Sequence, residues 1–369
     1  MSVRIRVLHT LDECRAIRDD WHRLVRLETN GVVGFDVSAS FEWTEALWQE
    51  LLHQAPQQVL VAEDESGIRG LLPCRISSET TGRIRHRMLS PISSLYDLRT
   101  GFLVGGDVDV LDMLLGHALE HLGGWDTFVF KVVDTSPSDA AVREVLRRRG
   151  IGLAIKRQWN SPVIALPADA TQVLASLKPN MRSNVRRREK QLQALGKLEV
   201  RLYETEASVP GFLQLMESVE DQSWKLEAGT AMTTSIKQKN LYRIVTPALV
   251  RHGWFLGAAL LLDERPLAFI YGFPFEGVFV DEKESFVEEF KEYGPGNVLK
   301  ARFLEELVRR EILTFDYAGS PDPHKARWTD ASYSRHIYVL YNRTLRGQLV
   351  RASVGARKWL GRWRQPKAS

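Results

Sequence analysis

"GWFLGAALLLDERPLAFIYGFPF", residues 253–275, holds two apolar runs on either side of the charged pair Asp263–Glu264. Runs of this length bounded by turn residues form two strands joined by a tight turn. "QQVLVAEDESGIRGLLPCRI", residues 57–76, has the same layout. Each hairpin is followed by a helix and then a strand. In the first case this is "LDMLLGHALEHLGGWDTFVFKVVD", residues 111–134, and in the second "LKARFLEELVRREILTFDYAGS", residues 299–320. Leu111 and Phe128 correspond to Leu299 and Phe315, about 190 residues further on. That period is far longer than the roughly 20–50 residues of a solenoid repeat, so the chain reads as a duplicated domain.

Hairpins combined with a crossover helix predict an α/β fold in which mixed, mostly antiparallel sheets are flanked by helices. Between the copies, residues 158–170 bring Pro162 and Pro167 and a short extended piece. The expected division is an N-terminal domain over 1–166 and a C-terminal domain over 167–330. Residues 331–369 contain no acidic side chain and are expected to form a last strand and a basic helical tail. The length of 369 residues suits about two domains, and an apolar fraction of 44% is enough for sizeable cores. A net charge of +4 favours anionic partners without calling for nucleic acid. Two cysteines, Cys14 and Cys74, make neither a disulfide framework nor a zinc cluster. His117 and His121 share a helical face, but no nearby ligand completes a metal site. Asp12 and Glu13 interrupt any signal-like apolar run, and no stretch approaches about 18 apolar residues. The expectation is a reduced, cytoplasmic protein.

Four stretches could carry chemistry. In "YGPGNVLKARFLEEL", residues 293–307, Gly294, Pro295 and Gly296 stand before an amphipathic helix, with Asn297 as a candidate cap for a helix beginning at Val298. Exposed N–H groups at such a mouth bind anions; the alternative is a capped surface helix after a tight loop. In "ESVEDQSWKLEAGT", residues 217–230, a continuous helix would put Glu217, Glu220 and Trp224 on one face. A carboxylate beside a large aromatic can serve as a base; otherwise this is a solvated acidic face with a core tryptophan. In "FDYAGSPDPHKARW", residues 315–328, a strand gives way to an irregular loop gathering Asp316, His324, Lys325 and Trp328. In "LKPNMRSNVRRREKQLQALGKLEV", residues 177–200, six cations crowd one helix: Lys178, Arg182, Arg186, Arg187, Arg188 and Lys190. No aromatic residues interleave with them, which argues against single-stranded nucleic acid.

Together with "SASFEWTEALWQ" (residues 38–49) and "VLVAEDESGIRGLLPCRI" (residues 59–76), these stretches in this order resemble the CelD-type branch of the GNAT acyltransferases, related to the FemAB transferases. The resemblance runs over nearly the whole chain to about Trp328. It implies tandem GNAT-like domains and transfer of an acyl group from acyl-CoA to an amine, with no permanently bound cofactor. Aminoacyl-tRNA, the FemAB donor, is a weaker option. The usual GNAT pyrophosphate motif is not clearly present; "YGPGNVLK" occupies its place. Members of this branch act on amino sugars of envelope polysaccharides and, in one group, on the amine of a sphingoid base to make ceramide.

On that reading the amine needs a base, the carbonyl oxygen needs donors and the leaving thiolate needs a proton. Glu220 is the first candidate base and Asp316 the second, with Trp224 and Lys225 in the same neighbourhood. Backbone N–H groups near Val298 or in the preceding strand would hold the oxyanion, and Tyr293 or Tyr271 would protonate the thiolate. Gly294, Gly296, Asn297, Arg302 and Lys325 would bind the donor. In the tail, Leu345, Leu349, Ala352, Ala356, Trp359, Leu360 and Trp363 fall on one helical side and most arginines elsewhere. Such a helix suits an anionic membrane surface on the cytoplasmic side, which favours a long-chain amine as acceptor. The alternatives are an N-acetyltransferase acting on an amino sugar or its lipid-linked precursor, and a non-catalytic binding protein on a degenerate transferase fold.

Overall fold

The computed structural model describes residues 3–28, 37–51, 56–92, 101–134 and 136–363, with Leu51 and 357–363 as backbone alone. In chain order the elements are β1 (Arg4–Leu8), α1 (Leu11–Arg15), α2 (Arg18–Leu27), α3 (Phe41–Leu51), β2 (Gln57–Asp64), β3 (Gly67–Thr81), β4 (Ile84–Pro91), α4 (Val108–Glu120), β5 (Thr127–Val133) and α5 (Pro137–Arg148). The second half runs β6 (Ala154–Ala165), α6 (Val173–Ser176), α7 (Pro179–Gln193), β7 (Leu198–Tyr203), α8 (Val209–Asp221), α9 (Trp224–Glu227), α10 (Ile236–Arg251), β8 (Leu256–Leu262), β9 (Arg265–Phe275), β10 (Val278–Phe286), α11 (Pro295–Arg309) and β11 (Thr314–Asp316). The chain closes with β12 (Ser332–Tyr341) and α12 (Leu345–Trp363).

Two compact units result. The first comprises Met1–Glu28, Leu47–Gln158 and Arg335–Ser369, and the second Thr29–Ala46 and Trp159–Ser334. In the first, the strands are ordered β1-β2-β3-β4-β5-β12; in the second, β7-β8-β9-β10-β11-β6. Both sheets are antiparallel except for one pair. In the first unit Met88 and Leu89 of β4 run parallel to Thr127 and Phe128 of β5. In the second, Val278–Val280 of β10 run parallel to Thr314–Asp316 of β11. The anticipated duplication is therefore present strand for strand. The sixth position differs in origin: β12, the last strand in sequence, pairs with β5, whereas β6, which comes after the first copy, pairs with β11. The segment after residue 331 thus supplies a strand to the first sheet. Seven residues of β12 are registered against the first sheet, from Arg335 opposite Val133 to Tyr341 opposite Thr127.

Each unit has its own core. Leu60, Leu72, Leu111, Leu114, Trp125 and Phe128 anchor the first, and Met181, Leu260, Leu299, Phe303, Leu304 and Phe315 the second. The continuous apolar run of β8 is buried on both faces, from Leu256 to Leu262. On the described part of α12, Gly347 and Val350 face the unit while Leu345 and Leu349 are exposed. The side chains of Trp359, Leu360 and Trp363 lie outside the described residues. Among the described residues no helix is long and apolar enough to cross a membrane.

Two irregularities in β10 distinguish this strand from its neighbours. The register of β10 against β9 shifts between Asp281 and Lys283, so Glu282 is an extra residue. Glu282 and Lys283 consequently meet the α8 and α10 side: Tyr242 donates to Glu282, and Lys283 pairs with Glu220. Glu284 instead meets Lys300 of α11. Beyond Val280, β10 also loses β11 as a partner, so the two parallel strands part.

Candidate active site

A cavity of about 500 Å³ opens in the second unit where β10 and β11 part. Its walls come from Trp224 and Lys225 of α9, Phe269 and Ile270 of β9, Glu284, Ser285 and Phe286 of β10, Lys291, the start of α11 at Gly294, Gly296 and Asn297, and the loop carrying Asp322, His324 and Arg327.

The mouth of α11 follows from its sequence. Gly294 adopts the left-handed conformation, with φ 55°, which glycine tolerates without a Cβ clash. Pro295 occupies the first helical position, where its missing N–H costs nothing. No side chain caps the helix. Asn297 and Val298 already donate to the Gly294 carbonyl, which leaves the Gly296 N–H at the opening. A Cβ built on Gly296 would come to 3.6 Å from Phe286, so the absence of a side chain there keeps backbone exposed rather than relieving a clash. The helix begins earlier than the sequence suggested. Asn297 is its third residue, not its cap, and its side-chain oxygen is 2.9 Å from His324 Nε2.

That contact defines the histidine. An amide oxygen only accepts, so Nε2 carries the ring proton and Nδ1 holds the lone pair. Burial holds the imidazole below its usual range, and the nearby Lys300 ammonium adds to this, so it is neutral near pH 7. The loop behind it is fixed from both ends. Asp322 accepts from the backbone of His324 and Lys325 at 2.8 and 2.9 Å. Asp316 accepts from Ala318 N at 2.7 Å, holding Ala318 at φ 48°, and from Tyr333. Asp316 is fully buried in these bonds and anchors the loop rather than facing the cavity.

A buried charge network lies beneath. Glu220 is fully buried; Lys225 and Lys283 approach its Oε1 at 2.9 and 3.1 Å, and Met232 N donates to Oε2 at 2.8 Å. Its oxygens are occupied, and it does not reach the cavity wall. The expected face shared with Trp224 does not form, because α8 stops at Asp221 and Ser223 caps a new turn. Lys225 does reach the wall. It spends two N–H groups on Glu220 and on the Glu284 carbonyl at 2.6 Å, leaving a third. Lys300, fully buried, sits 2.7 Å from Glu284 and above the rings of Tyr317 and Trp328 at 4.4 and 5.5 Å. Burial pushes the Glu284 carboxyl up, but Lys300 outweighs it and holds the group below the usual range. Asp281 shares this surround; burial and the charge of Glu284 push it up to about 8.

Of the residues expected from sequence, Trp224, Lys225, Gly294, Gly296 and Asn297 come together on this cavity. Glu220 and Asp316 do not. Tyr293 packs beside Phe290 against the unit's core, and the buried Tyr271 hydroxyl is tied to Thr246 at 2.8 Å. Arg302 is held by Glu189 through two 2.7 Å bonds and by Glu305, away from the cavity. Lys325 is bound to Ser320 O at 3.0 Å and lies near Asp322. Sequence reasoning noted His324 without giving it a role. It missed Ser285, whose buried hydroxyl lines the cavity without a partner among the described residues. Its one signal was a small hydroxyl residue between Glu284 and Phe286 at the end of a strand.

Residues 179–326 match the family model of the acetyltransferase (GNAT) domain. A search of curated proteins returns no match. Among solved structures, FemX superposes with a TM-score of 0.60 at 12% identity, over 94% of this chain and 99% of that one. The C-terminal domain of a protein described as a lysylphosphatidylglycerol synthetase, from Agrobacterium fabrum, gives 0.51 at 12% identity, over 94% and 97%. A tandem GNAT protein from the clavulanic acid biosynthesis pathway gives 0.50 at 12% identity, over 92% and 98%. These likenesses are of fold: two GNAT-like copies in tandem.

Proposed function

We propose that this chain, whose second copy carries the GNAT domain, is an N-acyltransferase that moves an acyl group from acyl-CoA to a primary amine at the cavity below the α11 mouth. The observation that carries this reading is a neutral histidine on a cavity whose wall also holds the uncapped Gly296 N–H and an unpartnered hydroxyl. As the amine nitrogen bonds to the thioester carbon, His324 Nδ1 takes its proton. The charge developing on the carbonyl oxygen meets the Gly296 N–H or the third N–H of Lys225. When the C–S bond breaks, the proton on His324 passes to the departing thiolate, directly or through Ser285. The products are an amide and a free thiol, and the histidine is neutral again.

Glu220 on this account positions Lys225, and Asp316 positions the His324 loop. The favoured acceptor is a long-chain amine such as a sphingoid base. Phe269, Ile270 and Phe286 give the cavity an apolar wall, and Trp224, 51% exposed, stands at its edge. The exposed Leu345 and Leu349 of α12, flanked by Arg343, Arg346 and Arg351, suit a peripheral site on an anionic membrane. The test is turnover of long-chain acyl-CoA with a sphingoid amine, with mass spectrometry of the amide. Wild type should form it and His324→Ala should not. Thiol release without amide, or equal rates in both proteins, would sink the proposal.

A further inference from the structure

Helix α7 carries a feature that the transfer reaction leaves unused. Its buried side is Met181, Val185 and Leu192. Along its outer side runs an open groove of about 680 Å³ lined by Arg182, Arg186, Arg187 and Lys190. Arg182, Arg186 and Lys190 recur every fourth residue, so they form one stripe about 12 Å long. Arg186, Arg187 and Lys190 have no ion-pair partner among the described residues, and Arg182 donates only to the Ala175 carbonyl at 3.1 Å. The one acid on the helix, Glu189, is already taken by Arg302 at 2.7 Å. Four clustered cations with no internal counter-charge repel one another, a cost that an acidic partner would remove.

The helix that carries the stripe borders the proposed donor site. Helix α7 packs on α11, and the Arg188 side chain lies against Gly294, its Cγ 3.6 Å from where a Cβ would stand. We infer that α7 docks an acidic carrier protein, which delivers the acyl group as a thioester on a phosphopantetheine arm into the cavity at Gly294–Asn297. A row of cations at helical spacing matches an acidic helix of similar length better than a compact pyrophosphate. Nucleic acid fits less well, because the exposed face of α7 offers no aromatic ring for base stacking. A membrane fits less well, because that face offers no large apolar side chain to insert. This inference rests on the acyl-transfer reading of the same cavity.

The test compares two donors with the same acyl chain, acyl-CoA and acylated acyl carrier protein, in wild type and in Arg186→Glu/Lys190→Glu. Arg186→Gln/Lys190→Gln serves as a milder variant that keeps helix propensity. Wild type should use both donors. Charge reversal should lower kcat/KM with the carrier protein at least tenfold and leave acyl-CoA within twofold, and the Gln variant should fall between. Rising salt should weaken carrier turnover in wild type more than in the reversed variant. Turnover of acyl-CoA with none from the carrier overturns this inference alone, as does an equal loss with both donors. Loss of tRNA or anionic-vesicle binding on reversal, with carrier turnover unchanged, reassigns the stripe and also overturns it. Failure of both thioesters in wild type overturns the acyl-transfer reading itself.

Discussion

The two copies build the same strand–loop–helix corner and finish it in opposite ways. In the first unit the helix that connects the two parallel strands, α4, is capped by Asp107, whose carboxylate accepts from Asp109 N and Val110 N, each at 3.1 Å. Asp107 is held in turn by Arg69 at 3.0 Å. In the loop before it, Glu28 accepts from Val104 N at 3.0 Å, Gly105 N at 2.7 Å and Ser138 Oγ at 2.6 Å. The corner thus holds an anion, but the anion is the protein's own. In the second unit α11 has no capping side chain, and the Gly296 N–H is left at a cavity. A helix N-terminus favours negative charge in either case. What separates a structural corner from a binding corner is whether the sequence supplies the carboxylate.

The largest expected effect lies in the open corner. His324→Ala should lower kcat by about 10²–10⁴ with the fold intact, by loss of the base. The wild-type pH profile checks the same group. Only the neutral imidazole accepts a proton, and its folded pKa lies below the ordinary 6.5. Activity should therefore be flat above that value and fall only as pH drops through the depressed pKa. The stability this histidine contributes has the same sign: present above about 6.5 and lost as pH falls, since the unfolded chain binds the proton more readily. A profile still rising well above pH 7 would count against His324.

Next in size is the charge network. Glu220→Gln leaves Lys225 and Lys283 facing a neutral amide, and breaking such a buried pair costs about 3–5 kcal/mol. Thermal denaturation should show a large drop, while the fraction that remains folded keeps turnover within about tenfold, because no proton transfer is lost. A stable Glu220→Gln protein with no turnover would restore Glu220 as the base. Gly296→Val should come third. It places a branched side chain over the exposed N–H with only Phe286 nearby, so donor affinity should weaken roughly tenfold, about 1.4 kcal/mol, with little loss of stability. Smallest is Asp107→Ala in the closed corner. Loss of one cap costs about 1 kcal/mol in denaturant titration and leaves turnover unchanged.

The corner was legible in the sequence where it rests on backbone, and not where it rests on distant side chains. The order Gly294-Pro295-Gly296 before an amphipathic run announces a helix mouth because glycine and proline restrict the backbone locally. The duplication was legible because strand alternation survives when identities do not. The burial of Glu220 and its partner Lys283, on a distant strand, were not legible because neither leaves a trace in local spacing. Arg302 looked available because Glu189, which binds it, lies 113 residues away in sequence. His324 became a candidate base only through Asn297, and Ser285 only through the bulge in β10. The closed corner was illegible for the same reason, since Glu28 plugs it from the first helical pair.

The central claim is that one corner of this duplicated fold takes the donor and the other does not. Isothermal titration calorimetry with a non-hydrolysable thioether analogue of long-chain acyl-CoA tests it most directly. The account predicts one site per chain, weakened about tenfold by Gly296→Val through loss of the open mouth and untouched by Asp107→Ala. Two equal sites, or one site that survives Gly296→Val and disappears with Asp107→Ala, would place the donor in the first copy and contradict it.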